Sequence, residues 1–139
     1  HEGLGWKMLQ KELEMTIQDS RKLPDLADLT RAFEKYCKEF TEGSAQILFK
    51  RNQGPDYFLA DATLFLDGAG ILCMGWMWLK QAITAQRALD QGTKEQDFHL
   101  GKIETARFTM EYELVKLKGL LERFASTSYP SITMKTEWF

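Results

Sequence analysis

Apolar residues recur at steps of three and four along most of this chain, and that period constrains its fold more than any other feature. A period near 3.6 lays one apolar stripe along a helix, whereas a strand alternates at two. The first stripe is Trp6, Leu9, Leu13 and Ile17. Leu23-Pro24-Asp25 interrupts it, since proline disfavours helix in the residue before it and Asp25 can cap a new start. The second stripe is Leu26, Leu29, Phe33, Tyr36 or Cys37, Phe40, Ser44 and Ile47. Asn52-Gln53-Gly54-Pro55-Asp56 then ends that helix and opens the next, with glycine past the end and proline near the new start. A third helix extends to Asp90 and closes at Gln91-Gly92-Thr93. The fourth stripe is Ile103, Ala106, Met110, Leu114, Leu117, Leu121 and Phe124. No run alternates at period two for long enough to build a sheet.

The expected fold is all-α. Helices at about 4–22, 25–52, 56–91 and 95–125, joined by short loops, predict an antiparallel up-and-down four-helix bundle over residues 1–124. The longest helices, of roughly 30 residues, would reach about 45 Å. Pairs such as Glu34–Lys38 and Lys118–Glu122 decorate the solvated faces. The tail, 125–139, reads as irregular. It keeps Tyr129, Ile132, Met134, Trp138 and Phe139, so it is expected to lie against the bundle or a partner domain.

At 139 residues the chain is long enough for one domain with a real core, and 44% hydrophobic with 27% charged residues is an ordinary globular balance. The net charge of −2 gives no electrostatic case for nucleic acid or an anionic membrane surface. Cys37 and Cys73 are too few and too far apart for a disulfide scaffold or a zinc ligand set, and free thiols are expected. No secretory leader is visible, which favours the cytoplasm. A start at His1 rather than Met suggests a fragment, a processed chain or a tag remnant.

The stretch Phe65-Leu66-Asp67-Gly68-Ala69-Gly70-Ile71-Leu72-Cys73-Met74-Gly75-Trp76-Met77-Trp78-Leu79-Lys80 carries the most suggestive motifs. Asp67 and Lys80 bracket a charge-free run of twelve residues, and a span needs about 20, so a buried core helix covered on more than one face is expected instead. Gly68-Ala69-Gly70 matches two glycines of a dinucleotide loop. It lies inside a helical pattern, however, where no free backbone N–H groups remain to hold a phosphate. Gly68 and Gly75 are seven apart, hence on one face, where a neighbouring helix or a large ring can come close.

Asp67 is expected to face solvent or a partner such as Lys118, Arg123 or Ser44, because an unpaired buried charge is too costly. The hairpin register also brings Cys37 toward Cys73. His99, in Asp97-Phe98-His99-Leu100, reads as a surface or capping-region residue. No Glu-x-x-His pair supports a di-iron centre, and no Cys/His ligand cluster or Ser-His-Asp arrangement is evident. No catalytic, cofactor-binding or metal residue is assigned.

Three segments in order carry a resemblance: Ala60-Asp61-Ala62-Thr63-Leu64-Phe65-Leu66-Asp67-Gly68, Gly75-Trp76-Met77-Trp78-Leu79 and Gly101-Lys102-Ile103-Glu104-Thr105-Ala106-Arg107-Phe108. Together with the closing Trp138-Phe139, they resemble the C-terminal helical domain appended to a subgroup of bacterial acyl-CoA dehydrogenases, the subgroup similar to 3-methylmercaptopropionyl-CoA dehydrogenase. Phe108-Thr109 departs from the paired aromatics common there. The resemblance implies an FAD-dependent parent that oxidises an acyl-CoA at Cα and Cβ. Flavin, substrate and glutamate base would belong to preceding domains of the same polypeptide, and no cofactor to this chain. It further implies a non-catalytic, packing or oligomer-stabilising role in a homo-oligomeric parent. The rival reading is a free-standing helical interaction module whose stripes bind a partner helix.

Overall fold

The computed structural model describes residues 3–138; the expectations for His1 and Phe139 concern residues outside that range. Every regular element among the described residues is helical. Helix α1 runs Leu4–Ser20 and α2 runs Ala27–Lys50. Between them Pro24–Leu26 forms a 3₁₀ turn, with Leu23 extended (φ −114°, ψ 96°) ahead of the proline. A second 3₁₀ turn, Arg51–Gln53, leads to Gly54 at φ 136°, a conformation that side chains rarely tolerate, and Pro55 then opens the short α3, Pro55–Leu59. Helix α4 spans Ala62–Asp90 and α5 spans Gln96–Phe108. The chain continues through a π turn, Thr109–Glu113, and a 3₁₀ turn, Leu114–Lys116, into α6, Leu117–Ala125. The tail holds α7, Pro130–Thr133, and a last 3₁₀ turn, Thr136–Trp138.

Two expected helices are broken. The third, expected unbroken over 56–91, stops at Ala60–Asp61 and restarts as α4. Asp61 leaves helical geometry (φ −108°, ψ 11°) with its side chain turned into the protein, while its carbonyl accepts the Phe65 N–H at 2.9 Å to begin the new helix. The fourth helix, expected over 95–125, widens at Thr109, whose hydroxyl donates to the Thr105 carbonyl at 2.9 Å and loosens the ladder there. The wide turn keeps Ala106, Met110 and Leu114 all buried, although two steps of four overshoot an α-helical turn.

Helices α1 and α4 run the same way: Trp6 meets Phe65, Trp76 Nε1 donates to Thr16 Oγ1 at 2.7 Å, and Arg87 pairs with Asp19. Helix α2 runs opposite to α4, with Lys50 at Asp61, Phe40 at Gly68 and Asp25 at Gln86. Helices α5 and α6 also oppose α4, with Leu120 near Gly68 and Leu114 against Gly75. Packing places α2 and α4 centrally, with α1 leaning on both and α5 along α4.

Phe40 is the hub of the core. It has no exposed surface, and its ring lies 5.6 Å from Phe65, 6.0 Å from Trp6 and 6.3 Å from Phe124, centroid to centroid. Burying each large apolar side chain of this kind contributes about 1.5–3 kcal/mol. The expected close approach at Gly68 and Gly75 is present. A Cβ on Gly68 would lie 2.6 Å from Phe40 Cε2, and one on Gly75 would lie 2.7 Å from Leu114 Cδ1. Gly43 is a third such contact, against Leu121 at 2.5 Å, and has no counterpart in the reading of the sequence.

Neighbours cover α4 from several sides, as α1, α2, α5 and α6 all pack on it, but one side stays open. Gly68, Leu72, Gly75 and Leu79 are buried, whereas Leu66 and Met77 on the opposite side are exposed. Taken together, α3 and α4 (Pro55–Asp90) are long and apolar enough to cross a membrane by length and composition alone, as the core helix of a soluble protein can also be, and 22% of the most apolar window is buried. In the tail, Tyr129 packs into the protein as expected, but Met134 and Trp138 point outward.

Gly68→Ala is expected to destabilise the fold by about 1–3 kcal/mol through overpacking against Phe40, partly offset by helix propensity. Gly101→Ala, where a Cβ meets nothing within 4 Å, is expected to stabilise it by up to about 1 kcal/mol. Urea midpoints of the two variants, set against the parent chain, check the contrast.

Candidate functional site

Among the described residues, one buried charge cluster is present, and it sits where four segments meet. Lys50 ends α2, Asp61 occupies the break before α4, Arg123 lies in the last turn of α6, and Tyr129 comes from the tail. Lys50 Nζ donates to Asp61 Oδ2 at 3.0 Å, and Arg123 Nε donates to Asp61 Oδ1 at 2.9 Å. The Asp61 and Lys50 side chains are 3% and 7% exposed, so water screens this pair poorly. Arg123 Nη1 also donates to the Ser128 carbonyl at 2.6 Å. The Tyr129 ring covers both cations, with its centroid 5.0 Å from Lys50 Nζ and 5.2 Å from Arg123 Cζ, and Tyr57 meets it edge-on at 5.0 Å. An aromatic face attracts cations, which lets one carboxylate serve two of them.

This cluster holds structure together and is badly placed for acid–base work. Burial alone would push the Asp61 carboxyl up, but the hydrogen bonds and positive charge of Arg123 and Lys50 outweigh it and hold the group below the ordinary carboxylate range. A carboxylate so held does not take up a proton near neutrality.

Sequence reasoning missed Asp61 and Lys50. Lys50 looks like an ordinary basic residue at a helix C-terminus, and Asp61 falls within an apparently unbroken helical pattern. An aspartate between alanines on the approach to an apolar helix was the available signal. Arg123, considered for Asp67, binds Asp61 instead. Asp67 itself faces solvent and joins no ion pair among the described residues.

Of the other candidates, Cys37 and Cys73 lie near enough to influence one another, as the hairpin register implied, and His99 stands apart. His99 is half-exposed with its ring edge-on to Phe98. Cys37 and Cys73 are free thiols. Burial pushes the Cys37 thiol up to about 12, with Glu14, Glu34 and Cys73 adding to the rise. Burial raises Cys73 as well. Neither thiol is primed as a nucleophile. Among the described residues no three His, Cys, Asp or Glu side chains gather as metal ligands.

An apolar hollow of about 340 Å³ opens where the starts of α1 and α4 meet the end of α2, lined chiefly by Trp6, Ile47, Leu48, Phe58, Phe65 and Leu66. Its one hydroxyl, on Ser44, already donates to the Phe40 carbonyl at 2.6 Å. The hollow therefore suits a hydrocarbon group, and among the described residues its lining presents no cation to a pyrophosphate.

A family described as acetyl-CoA dehydrogenase C-terminal-like matches residues 9–135, nearly the whole chain. No curated protein and no solved structure matches. The chain belongs to the acyl-CoA dehydrogenase C-terminal-like family, a class of helical domain.

Asp61→Asn leaves two cations without their counter-charge and is expected to cost about 3–5 kcal/mol. The native carboxyl titrates below its unfolded value of about 3.9, so its stabilisation is complete above that pH and fades as pH falls through the folded value. Acid unfolding followed by circular dichroism is expected to show this loss in the parent chain and not in the variant. Cys37 is expected to react with a thiol reagent at pH 8 at least about tenfold more slowly than a free cysteine, as its raised titration implies. Timed alkylation in a Cys73→Ser background measures it.

Proposed function

We propose that this chain is the appended C-terminal domain of a bacterial, FAD-dependent acyl-CoA dehydrogenase of the subgroup similar to 3-methylmercaptopropionyl-CoA dehydrogenase. Its helices act as one up-and-down four-helix bundle, with α3–α4 as the third member and α5–α6 as the fourth. The domain is not catalytic. It stabilises a homo-oligomeric, cytoplasmic parent and packs on the preceding domains of the same polypeptide, which hold the flavin and the acyl-CoA.

The family match over residues 9–135 carries this reading. The state of the reactive groups supports it: Asp61 is engaged by two cations, and Cys37 is held far from its thiolate. The free thiols suit a reducing compartment. A second reading, a free-standing interaction module, draws on the exposed side of α4, where Leu66 and Met77 face outward.

Expression of the whole reading frame containing this segment is expected to yield a yellow flavoprotein that dehydrogenates an acyl-CoA. Deleting residues 1–139 is expected to leave the flavin bound while lowering the melting temperature and the oligomer content. A frame without a dehydrogenase body sinks the proposal. So does a truncated enzyme equal to the intact one in stability, assembly and substrate preference.

A further inference from the structure

We infer that the outward face of α4 is a two-fold seam that joins two copies of this chain. The inference deepens the assembly role proposed above by naming its surface and its partner. At about 100° per residue, Leu66, Gly70 and Met77 fall within about 40° of one another, directly opposite the buried Gly68, Leu72, Gly75 and Leu79. Leu66 and Met77 are 68% and 42% exposed, with Cys73 and Met74 half-exposed between them. Gly70 is exposed, and a Cβ there would meet nothing within 4 Å. Gly68 and Gly75 each accommodate a neighbour inside the chain, so Gly70 is the glycine of this helix with room left over for another molecule.

Charge and size point to a second copy as the occupant. Asp67 and Lys80 are both exposed, and neither joins an ion pair within the described chain. The pairs Asp67/Lys80 and Gly70/Met77 share one midpoint, between Cys73 and Met74. A two-fold axis through that point sets each copy's Gly70 beneath the other's Met77, and each Asp67 opposite the other's Lys80. Asp67 and Lys80 lie on opposite flanks of the stripe, so the two α4 helices cross at an incline, as packed helices commonly do. The surface needed is available. The chain exposes 9102 Å². A compact monomer of its mass exposes about 7,400 Å². That whole-chain excess, to which the exposed Leu66 and Met77 contribute, is larger than the roughly 800 Å² that each partner gives to a stable interface.

Sedimentation equilibrium of the purified chain tests the seam, with circular dichroism confirming that each exposed-site variant stays folded. The chain is expected to dimerise. Asp67→Lys and Lys80→Asp, each alone, are expected to weaken the dimer at least about tenfold by opposing like charges, and the double reversal is expected to restore it. Gly70→Glu is expected to leave a folded monomer. A chain that stays monomeric overturns the inference, as does a double reversal no better than the single ones. Capture on phosphatidylcholine vesicles in place of self-association overturns it too. None of these results touches the flavoprotein and truncation outcomes on which the proposed function depends.

Discussion

The Asp61 carboxylate is the interaction on which the rest of the structure depends. It accepts from Lys50 at the end of α2 and from Arg123 at the end of α6, and it sits in the break that separates α3 from α4. A continuous helix through residues 60 and 61 would carry this side chain elsewhere on the helix surface. The break is therefore tied to the ion cluster, and the cluster to the return of α6 alongside α2. Tyr129 then covers the cations and draws the tail onto the same place. One charge thus relates segments separated by more than sixty residues of sequence.

Away from that end, the fold rests on shape. Phe40 fits against the bare backbone at Gly68, Leu114 against Gly75 and Leu121 against Gly43. Each lets two helices approach more closely than side chains on both would permit. The widened turn at Thr109–Glu113 belongs to the same logic, because it keeps Met110 and Leu114 facing inward along a helix that would otherwise drift out of phase.

What the sequence made legible follows from the range of the forces involved. Helical period, proline and glycine breaks and the Gly68 and Gly75 contacts are local or nearly local, and the stripes Ile103-Ala106-Met110-Leu114-Leu117 and Leu26-Leu29-Phe33-Phe40 are buried as read. The role of Asp61 was not legible, because it depends on two cations far away in the chain. The conspicuous Asp67, six residues on, faces water. The π turn left a trace, two successive steps of four at residues 106, 110 and 114, which a fixed period of 3.6 smooths over. The open side of α4 was not legible, because an apolar helix looks the same in sequence whether its own chain or another molecule covers it.

The notches at Gly68 and Gly75 have a mechanical consequence. They stand seven residues apart on α4, about 10.5 Å along its axis. Each receives a side chain from a different neighbouring helix, Phe40 from one side and Leu114 from the other. Slipping α4 forward or back would drive the side chain of an adjacent residue into both neighbours at once, so the helix is detented along its length. An axial displacement of α4 is therefore resisted at Phe40 and at Leu114 together, and the helix keeps its register only with both neighbours in place.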